Sequence, residues 1–252
     1  MKVHLDLSFS IALEAPLHVG SGHGRGLIRR AFVRDGGGRP YIPGASLKGR
    51  TRSACEALVS RLVPDVCGVP RVAQTRGQPR HVHERCIVCR TFGAIGGNAP
   101  DGGGLRWEDA QASITALRAA DPARAAAAFR WAVMERTQVQ LSRARGMAAE
   151  ERLFSAEVVA PYVGFRGRVV GWLEATPSGG GAFQYYEVAL LLAGLRLVDG
   201  IGGMRRRGAG ACEITLEDIG VRVESNAEMR HPTLDELLRP LDLVDQFPGA
   251  VR

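Results

Sequence analysis

The chain reads as an α+β protein: strand, helix, strand, then strand, helix, strand, a ferredoxin-like βαββαβ core with long insertions. Three observations predict it. The first dozen residues alternate apolar and polar with the period of a half-buried strand. Two later segments, from Ser46 to Leu62 and from Phe183 to Val198, carry apolar residues at helical spacing. Short β-patterned runs follow each of these helices.

The elements follow in chain order. Val3, Leu5, Leu7, Phe9, Ile11 and Leu13 alternate with His4, Asp6, Ser8, Ser10 and Ala12, which gives the first strand one core face and one open face. A glycine-rich loop comes next, His18-Val19-Gly20-Ser21-Gly22-His23-Gly24-Arg25-Gly26, then a short strand at Ala31-Phe32-Val33 and a turn at Gly36-Gly37-Gly38. Pro40 and Pro43 hold the approach to the first helix extended. Ser46 is its expected N-cap, and Leu47, Thr51, Ala54, Cys55, Leu58 and Leu62 share its buried face. Residues 64–98 lack periodicity and read as an inserted Cys/His loop. Leu105 to Ala110 reads as an edge strand, Ala123 to Ala128 as a helix, and Phe129, Trp131 and Val133 as a strand running into Glu135. Residues 135–153 form a polar, arginine-rich hairpin. Leu153 to Val159 and Arg166 to Glu174 are strands. A second glycine-rich loop, Gly200 to Gly210, precedes a last strand at Cys212, Ile214 and Leu216. Residues 225–252 form a C-terminal extension in which Thr233-Leu234-Asp235-Glu236 has capping-box spacing. No linker-like boundary or internal repeat divides the chain, so residues 1–252 read as a single domain, of the topology shared by RNA-recognition-motif cores.

Composition narrows the function. The net charge is +7, and of the 33 basic residues only Lys2 and Lys48 are lysines. Guanidinium forks match phosphates and stack on bases, so this balance points to nucleic acid. An aromatic content of 6% argues against a surface built of many stacking platforms. No apolar run approaches the ~20 residues that span a bilayer. The N-terminus shows no charged region leading into a hydrophobic one, so a cytoplasmic protein with no membrane partner is expected.

Three groups of residues carry chemistry. Lys48, Arg50 and Arg52 stand near the start of the first helix, where free backbone N–H groups favour an anion such as phosphate. Arg205, Arg206 and Arg207, preceded by Gly202 and Gly203 and followed by Gly208 and Gly210, can set donors around phosphates. Cys86-Ile87-Val88-Cys89 has the C-x2-C spacing with which two thiolates grip one tetrahedral zinc ion. Cys67 and either His81 or His83 can complete a closed, structural set. A metal would also explain how a loop poor in apolar residues stays ordered.

Pro40-Tyr41-Ile42-Pro43-Gly44-Ala45-Ser46-Leu47-Lys48-Gly49 closely resembles the signature of the RAMP superfamily, RNA-binding proteins of CRISPR effector complexes. In particular the chain resembles the repeated backbone subunit of type III (Csm/Cmr-like) complexes. Cys86-Ile87-Val88-Cys89-Arg90-Thr91-Phe92-Gly93 is similar to that subunit's Cys-x-x-Cys-x-x-Phe-Gly segment. The Gly202–Gly210 stretch is similar to its glycine loop, which lies against guide RNA. The hairpin carrying Arg136, Arg143 and Arg145 resembles its thumb, which interrupts the guide–target duplex. The resemblance implies as partners a CRISPR guide RNA, complementary target RNA, a large effector subunit, and other RAMP subunits or copies of this chain in a filament.

It also poses the question of cleavage. Catalytic members carry an aspartate in the loop before the signature, and counting back from Pro40 places Arg29 there. Arginine stays protonated and cannot serve as a base. Asp35 and His23 are the remaining candidates, with Mg²⁺ if cleavage occurs. The expectation is therefore an RNA-binding subunit without its own target-cleaving aspartate, the alternative being an endoribonuclease acting on target RNA or guide precursor.

Overall fold

A computed structural model describes residues 1–61, 86–93, 104–113, 132–142, 144–179, 183–225 and 228–242, without the side chains of 150–152. The elements are β1 (Lys2–Leu13), β2 (Tyr41–Ile42), α1 (Gly44–Val59), α2 (Ile87–Phe92), β3 (Leu105–Trp107), β4 (Ala110–Ser113), β5 (Val133–Ser142), β6 (Met147–Val159), β7 (Gly164–Glu174), α3 (Tyr186–Arg196), β8 (Cys212–Val223) and α4 (Leu234–Leu238). Among the described residues no helix is long and apolar enough to cross a membrane.

The main sheet runs β2-β4-β7-β1-β8, with β3 also on β7. Its ladders are antiparallel. Counting β1, the β3/β4 edge, β7 and β8 as the four core strands, this is the ferredoxin-like order, with α1 and α3 as its two crossover helices. Strict alternation on β1 decides which face is covered: Val3, Leu5, Leu7, Phe9 and Ile11 are buried against the helices, while His4, Asp6, Ser8 and Ser10 face the open side half-exposed. Helix α3 is buried nearly all round from Tyr186 to Leu192, not along one stripe. Its neighbours α1, α2, α4 and β8 enclose it. A Cβ on Gly194 would lie 2.2 Å from Cys55 Sγ, so glycine sets how closely α3 meets α1. Burial holds the Cys55 thiol protonated, its pKa pushed far above the ordinary range.

Several boundaries differ from the sequence expectation. Helix α1 begins at Gly44, with Pro43 at the N-cap position and no side-chain cap, and Ser46 lies inside the first turn. The cap comes from elsewhere: Gly44 N–H donates to Asp109 Oδ1 at 2.8 Å. This also explains why the expected 105–110 edge strand is broken in two. The regular ladder is interrupted at Glu108-Asp109, where Glu108 N–H still donates to Arg168 O at 3.0 Å while the Asp109 carboxylate reaches α1. The Ala31–Val33 strand is reduced to isolated pairings, Gly20 with Phe32 and Arg34 with Pro40. The hairpin is longer than expected, its strands β5 and β6 reaching Val133 and Val159. The Thr233 capping box forms as expected, with Glu236 N–H donating to Thr233 Oγ1 and Thr233 N–H to the Glu236 carboxylate. The expected helix at 123–128 and strand residues Phe129 and Trp131 lie outside the described residues.

Candidate nucleic-acid interface

Three segments far apart in sequence meet beyond the C-terminal end of β1. The loop after β1 pairs with the outer edge of β6 through Leu17 and Val159 and through Arg30 and Ala156. The loop before β8 joins them: Gly203 N–H donates to His18 O at 2.8 Å, and Gly210 N–H to Pro16 O at 2.9 Å. Gly202 has φ 78°, and a Cβ there would lie 2.2 Å from His18 O, so this close approach requires glycine.

Glu157 pins the joint. Its buried carboxylate accepts from Phe32 N–H (2.8 Å) and from Arg34 Nη2 (2.9 Å), while its backbone carbonyl accepts from His18 Nδ1 (2.7 Å). With its own N–H donating to Arg30 O at 2.9 Å, this one residue on the hairpin holds four positions of the β1 loop. On the opposite face of β6, Phe154 lies beneath two guanidinium groups, Arg207 at 5.2 Å and Arg30 at 5.6 Å from the ring centre. Arg207 Nη1 also donates to Gln138 Oε1 at 2.8 Å, the cross-strand neighbour of Phe154.

These contacts frame two adjoining open clefts. The first, about 260 Å³, is lined by Arg29, Arg30, Gln140, Phe154 and Arg207. The second, about 340 Å³, is bordered by His18, His23, Arg29, Arg30, Gly203 and Met204. Among the described residues, none of Arg29, Arg30, Arg206 or Arg207 has a carboxylate partner. The open face of the sheet differs. There Arg168 pairs with Asp6, Arg106 with Glu108 and Arg166 with Glu217, and Arg222 stacks over Trp172.

The residues singled out from the sequence fall into distinct places. Arg205, Arg206 and Arg207 form an exposed 3₁₀ turn at the cleft rim, between Met204 and Gly208 in left-handed conformations. Arg136 is exposed on β5, and Arg145 is exposed in the hairpin turn. Arg143 lies outside the described residues. Arg50 Nε donates to Gly200 O at 2.9 Å, which ties α1 to the second glycine loop. Arg205 and Arg50 share one oxygen of Asp199, at 2.8 and 3.5 Å. Lys48 is half-buried, and desolvation followed by the nearby Arg52 charge lowers its pKa.

Two of these residues are engaged within the fold. Arg52 does not face the interface: Nε donates to Glu56 Oε1 (2.8 Å) and Nη1 to Gly93 O (2.7 Å), which pins α2 to α1. Asp35 is a turn residue, accepting from Gly37 N–H, Arg39 N–H and Arg39 Nε. Those donors, the Arg39 backbone first, hold its carboxyl below the usual range, and an acceptor so engaged is a poor base. The α1 N-terminus is likewise no open anion site, because the Asp109 carboxylate already takes the Gly44 N–H. His23, by contrast, borders the second cleft.

Cys86 holds the N-cap position of α2 and Cys89 the third residue of that helix, both buried. Two thiols one turn apart suit half of a tetrahedral zinc set. Cys67, His81 and His83 lie outside the described residues, and among the described residues no group of three or more potential ligands forms. Helix α2 has further anchors: besides Arg52, Arg90 pairs with Glu187, which is fully buried on α3 and also accepts from Thr176 N–H and Oγ1.

His18, Glu157, Phe154, Gln138 and Asp199 were not legible as site residues. Each owes its place to pairing between segments far apart in sequence, and only the break of polarity at Glu157, inward on an apolar strand end, gave a signal.

The RAMP superfamily sequence profile matches residues 10–213. The chain belongs to the RAMP superfamily. No curated protein matches it in sequence. Among solved structures, this RAMP protein is similar to a chain of the type III-B Cmr-beta complex bound to cognate target RNA, with 15% identity, a TM-score of 0.53, and coverage of 84% of this chain and 96% of that one. A chain of the same complex in its apo state matches with the same values. At that identity the likeness establishes the fold.

Proposed function

We propose that this RAMP protein is a guide-RNA-binding backbone subunit of a type III-like CRISPR RNA-targeting complex, without a target-cleaving aspartate of its own. The observation that carries the reading is the convergence of the β1 loop, the β5–β6 hairpin and the Arg205–Arg207 turn around clefts whose arginines lack carboxylate partners. Such a surface suits phosphates. Family membership and the fold shared with chains of the Cmr-beta complex support the rest: guide RNA and complementary target RNA as ligands, with other RAMP subunits or copies of this chain and a large effector subunit as neighbours. The β5–β6 hairpin is the thumb in this reading.

Arg29 at the expected aspartate position and Asp35 engaged within its own turn favour binding over cutting. His23 on the second cleft keeps an endoribonuclease, with Mg²⁺ as its metal, as the second reading. A structural zinc ion held by Cys86 and Cys89 with Cys67 and His81 or His83 belongs to the same proposal. The test is to purify the chain with its genomic neighbours, sequence the bound RNA, and add complementary RNA. Guide RNA retained without cuts in the target is the expected result. Cuts abolished by His23→Ala would establish the second reading, and absence of bound RNA would refute both.

A further inference from the structure

His18 is the buried group at the interface that phosphate binding leaves unexplained. The residue is 6% exposed, and Nδ1 lies 2.7 Å from the Glu157 carbonyl oxygen. A carbonyl only accepts, so Nδ1 carries the hydrogen, and in the neutral ring Nε2 is left as an acceptor. The edge bearing Nε2 and Cδ2 runs between Gly20 and Gly203: a Cβ on Gly20 would lie 3.4 Å from Nε2, and one on Gly203 3.4 Å from Cδ2. With no side chain at either position, this edge borders the cleft shared with Arg29 and Arg30.

An acceptor beside arginine donors has nothing to offer phosphate, whose oxygens also only accept. The only hydrogen-bond donor on the sugar–phosphate chain of a nucleic acid is the ribose 2′-hydroxyl, the group that distinguishes RNA from DNA. We infer that His18 Nε2 accepts from a ribose 2′-hydroxyl and is the residue through which this protein prefers RNA to DNA. The inference rests on the proposed RNA interface and adds to it a sugar-specific contact. Glu157, by fixing the ring through Nδ1, acts as the positioning residue.

The test compares binding of the full chain to oligouridine, oligodeoxyuridine and 2′-O-methyl-oligouridine of equal length. The wild type is expected to bind the ribo-oligomer roughly threefold to tenfold more tightly than the other two, the scale of one net hydrogen bond. His18→Asn keeps a donor where Nδ1 stood and removes the Nε2 acceptor. It is expected to bind all three at the wild type's level for oligodeoxyuridine. Equal wild-type affinity for RNA and its 2′-O-methyl form overturns the inference without recourse to any variant. An equal loss on all three in His18→Asn also overturns it, making His18 a brace for β6. Arg206→Ala, measured alongside, tests the underlying interface: if it leaves every affinity unchanged, the RNA reading falls and takes the inference with it.

Discussion

Asp199 is an exposed carboxylate whose Oδ1 holds Arg205 at 2.8 Å and stands 3.5 Å from Arg50. One negative charge is thus shared by two guanidinium groups at the rim of the proposed RNA interface. An exposed pair of this kind contributes little to stability, so its position matters more than its energy. A phosphate arriving at this rim must compete with Asp199 for both forks. Asp199→Asn is therefore expected to raise affinity for single-stranded RNA about threefold to tenfold, since charge-assisted bonds no longer have to be exchanged. Equilibrium titration at fixed salt checks it, and a loss of affinity would mean that Asp199 holds the two arginines in their binding geometry. The same reasoning explains why sequence alone identified Arg50 and Arg205 but not their regulator: nothing in Val198-Asp199-Gly200 sets that aspartate apart until the fold brings α1 beside it.

At the scale of elements, two helices are fixed by carboxylates supplied from elsewhere in the chain. Helix α1 has no local cap, and Asp109 supplies one from the β3–β4 break. Gly44 lies close to that segment, where a Cβ would be 2.2 Å from Trp107 O, so the signature glycine is a packing requirement. Asp109→Ala is expected to cost about 1 kcal/mol, the usual worth of a helix N-cap, measured by urea denaturation. Helix α2 depends more heavily on Glu187. Burial raises the pKa of that carboxyl, and the Arg90 charge works against the shift. Glu187→Ala leaves Arg90 facing an apolar interior and is expected to cost about 3 kcal/mol, as when one partner of a buried pair is removed. Denaturant midpoints check this, and the loss should persist in chelator if Arg90 and Glu187 dock α2 independently of any metal. The sequence made α1 and α3 legible because apolar period is a local property. It placed Ser46 as the cap wrongly because the true cap is 65 residues away. It also grouped Arg52 with Lys48 and Arg50 as a phosphate contact, although its partners are Glu56 and the remote Gly93.

At the scale of the whole molecule, three sheet arginines and four loop-end arginines contrast in their pairing among the described residues, while Arg50 and Arg205 share Asp199. On the open face of the sheet, Arg106, Arg166 and Arg168 have carboxylate partners on their own or neighbouring strands. At the loop end, Arg29, Arg30, Arg206 and Arg207 have none among the described residues. Net charge alone pointed to nucleic acid, whereas the pairing pattern is what places the proposed interface at the loop end of a ferredoxin-like core. An RNA-recognition motif uses its open sheet, with aromatic platforms for bases. Here Arg106, Arg166 and Arg168 are matched by carboxylates on that face, and its aromatic Trp172 is engaged by His4 and Arg222. Counterion release turns this contrast into a measurable slope: for single strands, log K falls with log salt by about 0.7 per phosphate contact. Replacing Arg205, Arg206 and Arg207 together by alanine should flatten the slope by about 2, if each contacts a phosphate. Replacing Arg166 and Arg168 should leave it unchanged, because their charge is already matched within the sheet. Fluorescence titrations of both variants against one RNA across a salt series decide the matter. A slope that responds to the sheet arginines and ignores the turn would move the interface to the open face and overturn the loop-end assignment.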